Sequence, residues 1–113
     1  MKALIAMLPL LVLSCAHAAE PTGQNPAPTH RYLVERTFPA HALDGLNAET
    51  KKKVNANNAS VGVRWIESFA NKDKTKTYCV YEGPSEESIR AAAKLNGLPV
   101  DSVVEVPVTL NPR

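Results

Sequence analysis

Cys79 is the residue whose chemistry stands out, because a thiolate is a good donor to soft and borderline transition-metal ions. Four glutamates accompany it: Glu35, Glu67, Glu82 and Glu105 fall one to each of four β-rich segments. Glutamate is poor strand material, so their placement needs a reason. One reason is convergence on a sheet face, where carboxylates would offer hard oxygen ligands with Cys79 or a histidine beside them. His30 and His41 are the imidazoles nearest these segments. Glu35 and Cys79 lead this candidate set for a divalent transition metal, followed by His30, His41, Glu82 and Glu105. Each also has a plain structural reading. A free cysteine in a strand is often a small buried hydrophobe, exposed carboxylates usually just face water, and Glu35 could pair with Arg36, Arg64 or Arg90. His30 and His41 bracket one strand of about eleven residues, and at roughly 3.3 Å per residue they cannot share an ion within one subunit unless a loop folds back.

Other chemistries find little support. The chain has no Cys-x-x-Cys, no His-Glu-x-x-His, no Gly-rich phosphate loop and no locally supported serine–histidine–acid set, which argues against hydrolase and nucleotide chemistry. Lys51-Lys52-Lys53 has no interleaved aromatics and reads as a solvated helix face, not a nucleic-acid stripe. Tyr78 and Tyr81, three apart in a strand, point to opposite faces and are packing residues. Trp65 belongs to the core or to a subunit interface.

The elements that must position these groups follow from local pattern. His30 to Phe38 is a strand stopped by Pro39, with Tyr32, Val34, Arg36 and Phe38 on one face and Leu33, Glu35 and Thr37 on the other. Neither face is cleanly apolar, which suits a central strand. Leu43, Leu46, Thr50 and Val54 recur at helical spacing and predict a helix from His41 to about Asn58, weakened by Gly45 and by Asn55, Asn57 and Asn58. Val61 to Ala70 is the next strand, with Val63, Trp65 and Phe69 on one face. Asn71 to Lys74 is a polar hairpin loop. Thr77 to Glu82 is rich in β-branched and aromatic residues and forms the strand carrying Cys79. Gly83-Pro84 ends it, Ser85 caps a helix with Glu86 and Glu87 in its first turn, and Ile89, Ala92, Ala93 and Leu95 make its apolar stripe. Gly97 is a left-handed stop, and Val103 to Val108 is the last strand.

Strand, helix, strand, strand, helix, strand predicts an α+β, ferredoxin-like βαββαβ domain with a four-stranded antiparallel sheet. Right-handed crossovers place the first strand between the third and fourth, with both helices on one face. The other face carries too much apolar area for a domain of about 90 residues to leave in water. A homodimer packed sheet to sheet, as a dimeric α/β barrel, is the simplest cover.

Ahead of the domain, at residues 30–113, stand two further segments. Lys2, the apolar run Ala3 to Leu13 and Ala16-His17-Ala18 form a secretory signal over residues 1–18. The run is shorter than the roughly 20 residues that span a bilayer, so no membrane span is expected. Residues 19–29 are proline-rich and polar, a flexible linker. A periplasmic or secreted protein is the expectation. Val12-Leu13-Ser14-Cys15 resembles a bacterial lipobox, and acylation of Cys15 would instead anchor the chain in the cell envelope. Simple cleavage leaves 12 basic against 11 acidic residues, a balance that gives no reason to expect nucleic acid as a partner. It also leaves Cys79 alone, so the domain has no internal disulfide.

Four blocks carry a resemblance: Arg31-Tyr-Leu-Val-Glu-Arg-Thr-Phe-Pro39, Gly62-Val-Arg-Trp65, Lys76-Thr-Tyr-Cys-Val-Tyr-Glu82 and Asn96-Gly-Leu-Pro-Val-Asp101. In this order they resemble the small family of nickel-binding, nickel-responsive ferredoxin-like proteins, over a stretch from about His30 to Pro112. The resemblance implies a dimer and a divalent-metal site, with nickel the expected ion. Two alternatives follow from the residues alone. One is an enzyme of the dimeric α/β-barrel type, with sheet-face tyrosines and Glu35 acting on a small organic substrate; a deep aromatic-lined cavity without clustered ligand atoms would favour it. The other is an interaction module without a site.

Overall fold

The computed structural model describes residues 28–113. The proposed leader, Cys15 and nearly all of the linker lie outside them. Six elements follow in order: β1 (His30–Thr37), α1 (Ala48–Ala59), β2 (Arg64–Ala70), β3 (Lys76–Gly83), α2 (Glu86–Leu95) and β4 (Ser102–Glu105). The sheet is antiparallel with strand order β2-β3-β1-β4, the ferredoxin-like arrangement that the element order predicts. Among the described residues no helix is long and apolar enough to cross a membrane.

Register decides which side chains share a face. Tyr32 stands opposite Tyr81 and Val34 opposite Cys79 across β1 and β3. All four are buried and meet Val63, Ile89 and Ala92 in one core on the helix side. Leu33, Glu35, Tyr78 and Val80 point the other way, where no element covers them. In β2 the alternation breaks: Trp65 pairs with Tyr81, but Glu67 pairs with Val80, leaving Ile66 as a bulge. Trp65 and Phe69, expected on one face, are thereby placed on opposite faces. Phe69 aligns instead with Tyr78.

Helix α2 matches its pattern closely. Ser85 Oγ accepts from the Ser88 N–H at 3.1 Å, and Ile89, Ala92 and Ala93 are its buried stripe. Leu95, 53% exposed, is not part of that stripe. Gly97 takes φ +66°, with its N–H on Lys94 O and the Leu98 N–H on Ala93 O, a Schellman stop.

Helix α1 departs from expectation. It starts at Ala48, not His41, because Asn47 Oδ1 accepts from the Thr50 N–H at 2.9 Å and so caps the chain there. The preceding residues form separate turns, with His41 itself in the left-handed region at φ +67°. Asn58 is the one fully buried residue of α1. The asparagines that weakened the sequence pattern serve as ties: Asn57 donates to Asn96, and Asn96 donates to Asn58. Strand β2 starts at Arg64, after the turn at Gly62 (φ +75°), not at Val61. Strand β4 ends at Glu105, shorter than expected because Pro107 has no N–H to extend the ladder. One further bond, from the Val106 N–H to Arg31 O, closes it.

Candidate functional site

The strand alternation separates the two leading candidates. Cys79 is 6% exposed on the helix side, its Sγ 3.5 Å from Thr77 Oγ1. Glu35 lies on the opposite face, where Ser102 Oγ donates to its Oε2 at 3.1 Å and Lys76 Nζ approaches its Oε1 at 3.8 Å. These two side chains cannot meet at one ion within one chain. None of the arginines considered as partners of Glu35 pairs with it; Lys76 does.

Lys76 also reaches Asp101 Oδ2 at 3.0 Å, and Thr37 Oγ1 donates to the same oxygen. The Thr37 and Lys76 bonds hold the Asp101 carboxyl below its ordinary pKa, and the bond to Asp101 raises that of Lys76. Glu35, Thr37, Lys76, Asp101 and Ser102 therefore form a polar corner on the open face. At the diagonally opposite corner Arg64 pairs with Glu82. Between the corners lie Leu33, Val80 and the more exposed Tyr78, Phe69 and Val104.

At the His30 end of β1, three of the six candidates come together. His30 Nδ1 lies 3.7 Å from Glu105 Oε2, and Glu82 shares with them a cleft of about 190 Å³. Arg31 also lines this cleft, and the Arg64 pairing occupies one Glu82 oxygen, so the local charge is not that of a strong cation site. His41 stands apart, exposed, with Nδ1 3.0 Å from Asp44 Oδ2. Glu67 is exposed to solvent. Among the described residues no three His, Cys, Asp or Glu side chains gather closely enough to hold an ion. The described residues of one chain thus offer a two-donor pair with a third carboxylate nearby, not a complete coordination sphere.

A larger cleft of about 800 Å³ lies on the helix side, between the sheet and the layer made by α1 and its preceding turns. Leu43, Leu46, Thr50 and Val54, the stripe that made α1 legible, all line it. The stripe faces the sheet without closing on it. Arg36 lines the same cleft and is 2% exposed. Its Nη1 donates to Pro99 O at 2.6 Å and its Nη2 to Tyr81 Oη at 3.2 Å. Burial raises the Tyr81 pKa, opposed by the adjacent guanidinium. Sequence reasoning did not single out Arg36 for a role of its own. Its signal was there: an arginine at the third position of the stripe Tyr32, Val34, Arg36, Phe38. Glu35 does not line the cleft, so the pairing of that acid with a sheet-face pocket, expected for a barrel enzyme, is not formed.

The βαββαβ order, the strand order and the uncovered sheet face define an α+β domain of the ferredoxin-like class. Within that class, the chain belongs to the family described as "Nickel responsive protein SCO4226-like", which residues 32–106 match. The crystal structure of SCO4226 from Streptomyces coelicolor A3(2) has a similar fold, with a TM-score of 0.61 and 21% identity over 71% of this chain and 99% of that one. No curated protein matches the sequence.

Proposed function

We propose that this chain is an exported, homodimeric, nickel-linked binding protein, periplasmic or secreted. The observation that carries the reading is the open sheet face: Tyr78, Phe69 and Val104 are 39%, 58% and 50% exposed on the uncovered side of one small sheet. A contiguous apolar patch bordered by ion pairs is the composition of an interface with a polar rim. A second copy placed sheet to sheet would cover it with isologous symmetry. Family membership supports the link to nickel.

Each chain offers His30 and Glu105, the imidazole–carboxylate pair closest to ligand geometry, which the register puts on the helix-side face at the end of the sheet, clear of the sheet-to-sheet contact, with Glu82 beside them. Cys79, buried among core residues, is set aside as a ligand in this reading. The test is nickel titration of the mature protein by calorimetry, alongside sedimentation. Binding at one ion per dimer or more, lost in both His30→Ala and Glu105→Ala, is the expected result. A monomer at micromolar concentration, or binding indifferent to both substitutions, would overturn it.

A further inference from the structure

We propose that the cleft between α1 and the sheet is a binding site for a small organic carboxylate with an apolar body, its charge held by Arg36. This inference is independent of the metal reading, since none of His30, Glu82 and Glu105 lines the cleft.

The argument starts from an uncompensated charge. A guanidinium stays protonated in proteins and has five donors but no acceptor. Arg36 is almost wholly buried, yet both hydrogen-bonded groups facing it are neutral: the Pro99 carbonyl and the Tyr81 hydroxyl. Its Nε has no partner, and no carboxylate among the described residues lies within ion-pair distance of it. Buried charges are ordinarily paired, because removal from water without a counter-ion is costly. The nearest acid along the chain, Glu35, points through the other face of the sheet toward Lys76. A purely structural arginine at this position would be expected to meet an acid, and the described residues supply none.

The cleft wall states what the missing counter-ion should look like. Every charged residue lining it is cationic: Arg36, Lys51 and Lys74. The rest of the surface is mainly apolar, with Phe38, Leu46, Val54 and Trp65 prominent. Ligand sites commonly combine such a lining with a few placed polar groups that fix orientation. An inorganic anion would leave the apolar wall unused, and a neutral apolar molecule would leave the guanidinium unpaired. A carboxylate joined to an aryl or alkyl body answers both. The volume, about 800 Å³, is within the range of small-molecule sites.

Trp65 makes the site observable, because it is the single tryptophan of the chain and lines the cleft. Mature protein is titrated with 3-phenylpropionate, followed by Trp65 fluorescence, against the neutral isostere 3-phenylpropanamide and against inorganic phosphate. Saturable binding of the carboxylate is expected, about tenfold or more tighter than the amide, as for a charge-assisted hydrogen bond. Arg36→Met should remove that preference while leaving weak apolar binding. Should that variant fail to fold, Lys51→Ala with Lys74→Ala, at the exposed edge of the cleft, must still weaken the carboxylate and not the amide. Equal affinity for acid and amide, phosphate binding as well as the acid, or no saturable response at millimolar ligand would each overturn the proposal. So would a carboxylate response that disappears on adding a metal chelator, which would return the cleft to the metal reading.

Discussion

Glu35 and Cys79 stand on opposite faces of the same sheet, because Cys79 is registered against Val34 and Glu35 against Tyr78. One residue of offset along β1 therefore separates a carboxylate held by Lys76 and Ser102 from a thiol packed among core side chains. It follows that substitutions at the two sites should have unrelated consequences.

For Cys79→Ala the expectation is a loss of about 1–2 kcal/mol in urea unfolding, from the lost contacts and residual space in a packed core. If the chain binds nickel as proposed, the stoichiometry measured by calorimetry should be unchanged. A thiol reagent should label Cys79 in the native protein far more slowly than in denaturant, as befits a buried sulfur.

Gly83 and Gly97 should respond to alanine for different reasons. A Cβ at Gly83 would sit 3.1 Å from Val63 Cγ2 and 3.2 Å from Ile89 Cδ1, so Gly83→Ala should destabilise through crowding by about 1 kcal/mol. The double variant Gly83→Ala, Ile89→Val removes one of the two crowding atoms. Its cost should be less than the sum of the single variants, measured as a coupling energy in denaturant melts.

At Gly97 nothing lies within 4 Å of an added Cβ, and the penalty comes from φ +66° alone. Gly97→Ala should cost about 1 kcal/mol, and Gly97→Asn less, since asparagine tolerates the left-handed region. Thermal unfolding of the three proteins would show the order.

The polar corner of the open face has a definite pH signature. The Thr37 and Lys76 bonds depress the folded pKa of Asp101 below 3.8, so its contribution is present above that value and fades as pH falls through the lower folded value. The stability difference between wild type and Asp101→Asn, followed in urea, should be flat near neutrality and shrink only under strongly acid conditions. Lys76 runs the other way: raised above 10.5, it contributes fully below that pH and loses its contribution as pH climbs through the folded value.

If the open face is the interface, a charge at its centre should split the pair. Val104→Glu would bring two carboxylates into an isologous contact, and sedimentation equilibrium should report monomer where wild type reports dimer. Far-UV circular dichroism should be unaffected, because Val104 is 50% exposed in the single chain.

Much of this architecture is written in local pattern. Ser85 and Gly97 bracket α2 because capping and left-handed stops are properties of a few consecutive residues, and alternating apolar side chains mark β1 and β3 by the same local logic. From those elements the crossover rule alone yields the strand order. Two local features escaped. The cap at Asn47 competed with an apolar stripe that began earlier, and the bulge at Ile66 is invisible in an alternating string because one extra residue leaves the composition unchanged.

The tertiary structure alone decided the fate of the candidate ligands. Period-two alternation tells which residues of one strand share a face, but not which face the helices will cover or which neighbour stands across the ladder. Glu35 met Lys76 through space, His30 met Glu105 across 75 positions of chain, and Arg36 met no acid among the described residues. Those outcomes depend on register and packing between segments far apart in sequence, and no local reading of residue types contains them.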